Sequence, residues 1–162
     1  MNAQADSSQR PIDRWFASYS GDHRNDTNQL IHVVCVPAIV WSIIALLWCI
    51  PAPGTLFREG FWAGLAMFAA TLFYYRHSRM LGLGMLAMFT LMGAACYVIY
   101  NAFGTAVLLW LGAGVFVVAW IGQFIGHRIE GRKPSFLTDL TYLLIGPIWV
   151  LAKLFRQFGW RY

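Results

Sequence analysis

The sequence predicts an all-α fold: a polytopic membrane bundle of about four transmembrane helices plus a C-terminal re-entrant or interfacial helix. Three observations predict it. The 162 residues are 59% hydrophobic and only 12% charged, whereas an ordinary soluble domain is about 25% charged, so there are too few polar side chains to cover a compact globule. The charges leave long empty windows, from Thr27 to Phe57, Gly60 to Tyr75, Met80 to His127 and Leu140 to Ala152. The basic residues flank those windows with a one-sided bias. Together these exclude a soluble globular enzyme, a coiled coil and a disordered chain. The net charge of +5 is too dilute for nucleic-acid binding.

The elements follow in order. Residues 1–26 read as a polar cytoplasmic segment without the basic and apolar regions of a cleaved signal, so internal spans drive insertion. Residues 27–162 form the bundle, and the chain is one integral membrane domain. A span needs roughly 20 apolar residues. The first window supplies one from Ile31 to Ile50, stopped by Pro51, Pro53 and Gly54. The second supplies a short one, Gly60 to Tyr75. The third is too long for one helix and divides near Asn101 to Gly104 into Met80–Tyr100 and Thr105–Gly126. The fourth, Tyr142 to Phe155, is short and carries Gly146-Pro147, which marks the re-entrant or interfacial helix. With a cytoplasmic N-terminus and a last segment that does not cross, every Lys and Arg except Arg58 lies on the cytoplasmic side. A bacterial inner membrane is the expected location, or the endoplasmic reticulum in a eukaryote. Cys35, Cys49 and Cys96 lie in apolar runs without a CxxC pair and read as small apolar fillers.

This topology gathers all four histidines, His23, His32, His77 and His127, on the cytoplasmic side. In the first cluster, from Tyr19 to Pro37, Asp26 or Thr27 caps a helix beginning at Asn28. Asn28 and His32 then share a face, and His23 lies in a loop before the cap. In the second cluster, from Trp120 to Asp139, Gln123, His127 and Glu130 stand at i, i+4 and i+7. Polar groups at a membrane edge are costly unless satisfied, and His with Glu can hold a metal ion. Spacing does not choose between iron and zinc. Glu130 can equally pair with Arg128, Arg132 or Lys133, and those cations can anchor lipid headgroups or receive a substrate carboxylate. His77, in Arg76-His77-Ser78-Arg79, has no polar companion on its face.

The first cluster, written Y-x3-H-x4-N-x3-H-x4-P from Tyr19 to Pro37, resembles the N-terminal motif of the 2-hydroxy fatty acid dioxygenase family. The second resembles its C-terminal motif through QFIGH, EGRKP, Asp139 and LIGP. The motifs cover about 45 residues in all, and the apolar middle matches only in character. The resemblance implies an iron(II)-dependent dioxygenase that shortens 2-hydroxy fatty acids by one carbon in fatty-acid α-oxidation. It implies His23, His32 and His127 as metal ligands, and Glu130 as a further ligand or a base. Asn28, Gln123 and Asp139 are expected to orient imidazoles, and Tyr19, Arg132 and Lys133 to bind substrate. Pro134 also matches a motif position. His77 lies outside both motifs and stays a candidate fourth imidazole. The implied partners are a 2-hydroxy fatty acid, dioxygen and membrane lipid. The rival expectations are a small membrane protein that binds or transports a metal or protons without oxygenase activity, and a structural membrane protein.

Overall fold

The computed structural model describes residues 10–131 and 141–162. They form five helices: α1 (Pro11–Asp22), α2 (Asp26–Trp48), α3 (Phe61–His77), α4 (Arg79–Glu130) and α5 (Thr141–Gln157). No strand occurs among the described residues. Two of these helices, α2 and α4, are long and apolar enough to cross a membrane. Large apolar side chains are exposed around them, among them Leu30, Val34, Leu91, Phe103, Trp110 and Val118.

The 52-residue α4 is two limbs joined at Gly104, inside the stretch where the third charge-free window was expected to divide. Gly104 has φ 80° and ψ 176°, a conformation open to a residue without Cβ. The chain reverses there. Met88 on the first limb shares a cavity wall with Pro37, and Gly93 approaches Trp48. On the second limb Gly112 meets Ala45, Gly122 meets Cys35 and Gly126 meets Asn28. The second limb therefore runs antiparallel to α2, and the two helices approach closely. A Cβ at Gly122 would stand 2.6 Å from Cys35 Sγ, and one at Gly126 would overlap Asn28 Oδ1. Small residues allow this approach, and van der Waals packing rewards it.

Two local details differ from the sequence expectation. First, α2 is capped by Asn25 and begins at Asp26. The Asn25 side chain accepts from the backbone N–H of Thr27 and Asn28, which satisfies two donors that a helix start leaves open. Second, the N-terminal segment contains a helix. Pro11 opens α1 at a position where its missing N–H costs nothing, and Ile12, Phe16 and Tyr19 bury one face at i, i+4 and i+7. That face meets α5, whose Ile145, Ile148, Trp149, Ala152 and Phe155 are buried. Trp149 Nε1 donates to Ser20 Oγ at 2.9 Å, and the hydroxyls of Ser18 and Tyr142 are 2.6 Å apart. Arg10 Nη1 donates to the Tyr162 carbonyl at 2.9 Å. Helices α1 and α5 together cover the end of the bundle where α2 begins and α4 ends.

Candidate metal centre

Three imidazoles meet under this cover, each supplied by a different element. His23 lies in the three-residue connection between α1 and α2, His32 in the second turn of α2, and His127 in the last turn of α4. Each offers a ligand atom, and all three such atoms lie within 4.8 Å of one another. The three residues are 1%, 1% and 4% exposed. Their ring centroids are 4.4 Å (His23 to His32), 4.9 Å (His32 to His127) and 5.3 Å (His23 to His127) apart.

Hydrogen bonding fixes the tautomers of two rings. His23 Nδ1 lies 2.6 Å from the Tyr19 carbonyl, and His32 Nδ1 lies 2.9 Å from the Asn28 carbonyl. A carbonyl only accepts, so each Nδ1 carries its proton and each neutral ring presents a bare lone pair at Nε2. Those two Nε2 atoms face each other at 3.1 Å. Two lone pairs at that distance repel unless a cation lies between or beside them. Burial also pushes the His23 imidazole below its ordinary pKa, which disfavours a proton as that cation. A ring whose Nδ1–H is held by a backbone carbonyl while Nε2 is free is the usual form of a metal-ligating histidine. Close by, His127 Nδ1, Gln123 Nε2 and Asn28 Oδ1 are buried without hydrogen-bond partners among the described residues.

The other expected site residues fall around this core. Tyr19 is buried and stacks on His23, centroids 4.2 Å apart and planes 14° from parallel; burial pushes its hydroxyl pKa well up. Gln123 and His127 share the buried face of α4. Glu130, one turn on, lies outside the three-histidine group. Its carboxylate accepts from Arg24 N at 2.9 Å, Asn25 N at 2.9 Å and Asn28 Nδ2 at 3.0 Å, so it clamps the connection that carries His23 to the end of α4. The expected link of Asn28 to an imidazole runs through its main-chain carbonyl, while its side chain serves Glu130. His77 is placed elsewhere: its ring packs on Trp15 and Phe73, and its Nδ1 bonds the Phe73 carbonyl at 2.7 Å. Arg132, Lys133, Pro134 and Asp139 lie outside the described residues.

Two supporting features were not expected from the sequence. Lys153 donates to Gln29 Oε1, and Gln29 Nε2 donates to the His23 carbonyl at 2.8 Å, which ties α5 to the same connection. An apolar cavity of about 250 Å³ also opens from Tyr19, His23 and His127 along α2. Gln29 follows Asn28 without any pattern to mark it, and a cavity between three helices leaves no signature in one chain segment.

The model for the family described as 2-hydroxy-palmitic acid dioxygenase Mpo1-like matches residues 9–158. The chain belongs to the Mpo1-like family. That match spans both histidine clusters and the apolar stretch between them, which the motifs alone did not cover. No curated protein and no solved structure matches the chain. For this Mpo1-like protein the family description fits a dioxygenase of 2-hydroxy fatty acids, and the three-histidine group is compatible with a metal site.

Proposed function

We propose that this protein is a membrane-embedded, iron(II)-dependent dioxygenase that cleaves 2-hydroxy fatty acids to the acid one carbon shorter. The observation that carries the metal is the pair of facing Nε2 lone pairs on His23 and His32, with His127 completing the set. The residues present fit such an ion: imidazole suits iron among other transition metals, and three protein ligands leave positions for a substrate. When bound, iron(II) supplies redox activation of dioxygen and an anchor for the carboxylate and hydroxyl oxygens of the substrate.

The chain's own groups do the rest. His23 and His32 are each held by a main-chain carbonyl of their own segment, which fixes both tautomers and leaves both Nε2 atoms free as ligands. Gln123 Nε2, a buried donor without a partner among the described residues, hydrogen-bonds a substrate oxygen, and Tyr19 packs against the substrate beside His23. Glu130 acts chiefly by fixing the connection that bears His23. Asp139 orients an imidazole, and Arg132 or Lys133 receives the carboxylate at the membrane surface. The apolar cavity excludes water and takes the part of the tail next to the head. Breaking the bond between the carboxyl and hydroxyl-bearing carbons of R–CH(OH)–COOH with dioxygen yields R–COOH, carbon dioxide and water. That balance needs no external reductant, whereas formate in place of carbon dioxide would require two further electrons. We infer four crossings with a cytoplasmic N-terminus and α5 at the surface, and with them a centre at the cytoplasmic membrane face; the one-sided bias of Lys and Arg supports this.

The test is direct. The protein is purified in detergent, its metal content is measured, and a 2-hydroxy fatty acid is supplied with iron(II) under air. Chain shortening that vanishes in His23→Ala, His32→Ala and His127→Ala supports the reading. Stoichiometric metal without turnover would instead make it a metal carrier, and full activity in any of the three variants would overturn the ligand set.

A further inference from the structure

The cavity beside the histidines has a direction. Among its walls Tyr19, His23 and His127 are buried, while Ile43 and Leu143 are 42% and 44% exposed. The wall of α2 between them, Val36 and Ile39, is buried and apolar. Ile43 lies eleven residues beyond His32 on α2, about 16 Å at 1.5 Å per residue. That is close to half of a bilayer's roughly 30 Å hydrocarbon core. The cavity therefore reaches the apolar exterior where its walls Ile43 and Leu143 are exposed.

We propose that this cavity is a lateral portal for a single-chain lipid with an oxygen-bearing head. The head lies at the imidazoles, the first part of the tail runs along α2, and the rest leaves the protein between Ile43 and Leu143 into the hydrocarbon. The proposal rests on the reading of the histidine cluster as a membrane-face metal centre and names how its substrate arrives. A lipid bound this way keeps the orientation it has in the leaflet, head at the surface and tail toward the midplane. The terminal methyl stays outside, so tail length beyond the mouth does not limit binding.

The test places fatty acids bearing a nitroxide label, either near the carboxylate or near the terminal methyl, in nanodiscs containing the metal-loaded protein, and reads label mobility by electron paramagnetic resonance. The head-proximal label shows an immobilised fraction, while the terminal label stays as mobile as in protein-free discs. An indole at the mouth overfills an occupied channel, so Ile43→Trp or Leu143→Trp lowers the immobilised fraction about tenfold. Leu65→Trp, at an exposed site on α3 away from the cavity, leaves it unchanged. Metal content identical to the parent protein shows that the variants are folded, and Ile43→Ala, which widens the mouth, retains the immobilised fraction. Immobilisation of the terminal label would mean a closed channel and overturn the portal, as would plugged variants that bind like the parent. If the labels behave as expected but 2-hydroxyhexadecanoic acid is not shortened, the dioxygenase reading fails and the portal stands. If the acid is shortened equally by parent and plugged variants, the portal fails and the dioxygenase reading stands.

Discussion

Replacing Glu130 by Gln separates a clamp from a catalytic base. The carboxylate accepts from Arg24 N, Asn25 N and Asn28 Nδ2 at 2.9, 2.9 and 3.0 Å. A carboxamide keeps one acceptor oxygen and turns its other end into a donor facing a donor. At least one hydrogen bond to a charged group is lost, about 1.5–3 kcal/mol in a shielded site. The site is at a partly exposed rim where water competes, so the lower part of that range applies, about 2 kcal/mol or roughly 30-fold in an equilibrium constant. The connection held by this clamp carries His23, so metal affinity falls by up to that factor. Competition against a chelator and thermal unfolding in detergent measure both effects. A Glu130→Gln protein that binds metal and unfolds like the parent would refute the clamp. If it were also inactive, Glu130 would be a base.

Other outcomes follow from the same geometry. His23→Ala, His32→Ala and His127→Ala each abolish stoichiometric metal, whereas His77→Ala, whose ring packs on Trp15 and Phe73, retains it by elemental analysis. Gly126→Ala forces Asn28 away from α4 and destabilises by about 1–3 kcal/mol. Gly114→Ala, which meets open space, is neutral or gains up to about 1 kcal/mol of helix propensity; denaturant titration distinguishes the two. Burial lowers the folded pKa of His23 below its unfolded value near 6.5. Stability of the metal-free protein is therefore complete above about pH 6.5 and falls as pH drops below it, because the unfolded state then binds the extra proton. Unfolding on either side of that value measures the slope, which is smaller in His23→Gln. With a substrate labelled at the carboxyl carbon, the label is recovered as carbon dioxide in a reaction without added reductant.

Much of this architecture was legible because its determinants are local. Charge-free runs set the apolar stretches, Gly104 stood in the stretch where the third window had to divide, and i, i+4 spacing put Gln123 and His127 on one buried face. Histidine placement on one side of the predicted topology brought His23, His32 and His127 into one candidate group, and the structure assembles those three. Placement alone does not separate His77; its lack of a polar companion and its position outside both motifs set it apart, though nothing local says that its ring packs on Trp15 from another helix. The same limit hid the employment of Glu130, whose three donors lie more than a hundred residues away. The amphipathic face of α1 stands at i, i+4 and i+7 in Ile12, Phe16 and Tyr19, but one short apolar stripe in a polar segment does not announce a helix. The capping signal was displaced by one or two residues because Asn25, Asp26 and Thr27 are all good caps, and only backbone geometry chooses among them.

The source of the three ligands has a consequence for folding. His23, His32 and His127 come from a connection, from α2 and from α4, and no two of them are held in register by the same helix. Without an ion, the facing Nε2 atoms of His23 and His32 push the connection away from α2, and the Glu130 and Gln29 hydrogen bonds are among the contacts that oppose this. An ion turns that repulsion into a three-way cross-link between elements far apart in sequence. Its binding free energy then becomes folding free energy of the end of the bundle. The connection between α1 and α2 should therefore be the segment whose amide protection rises most when metal is added, with the far end of α3 unaffected. Equal protection in both regions would mean that the site is rigid before the metal arrives, and that the clamps alone overcome the repulsion.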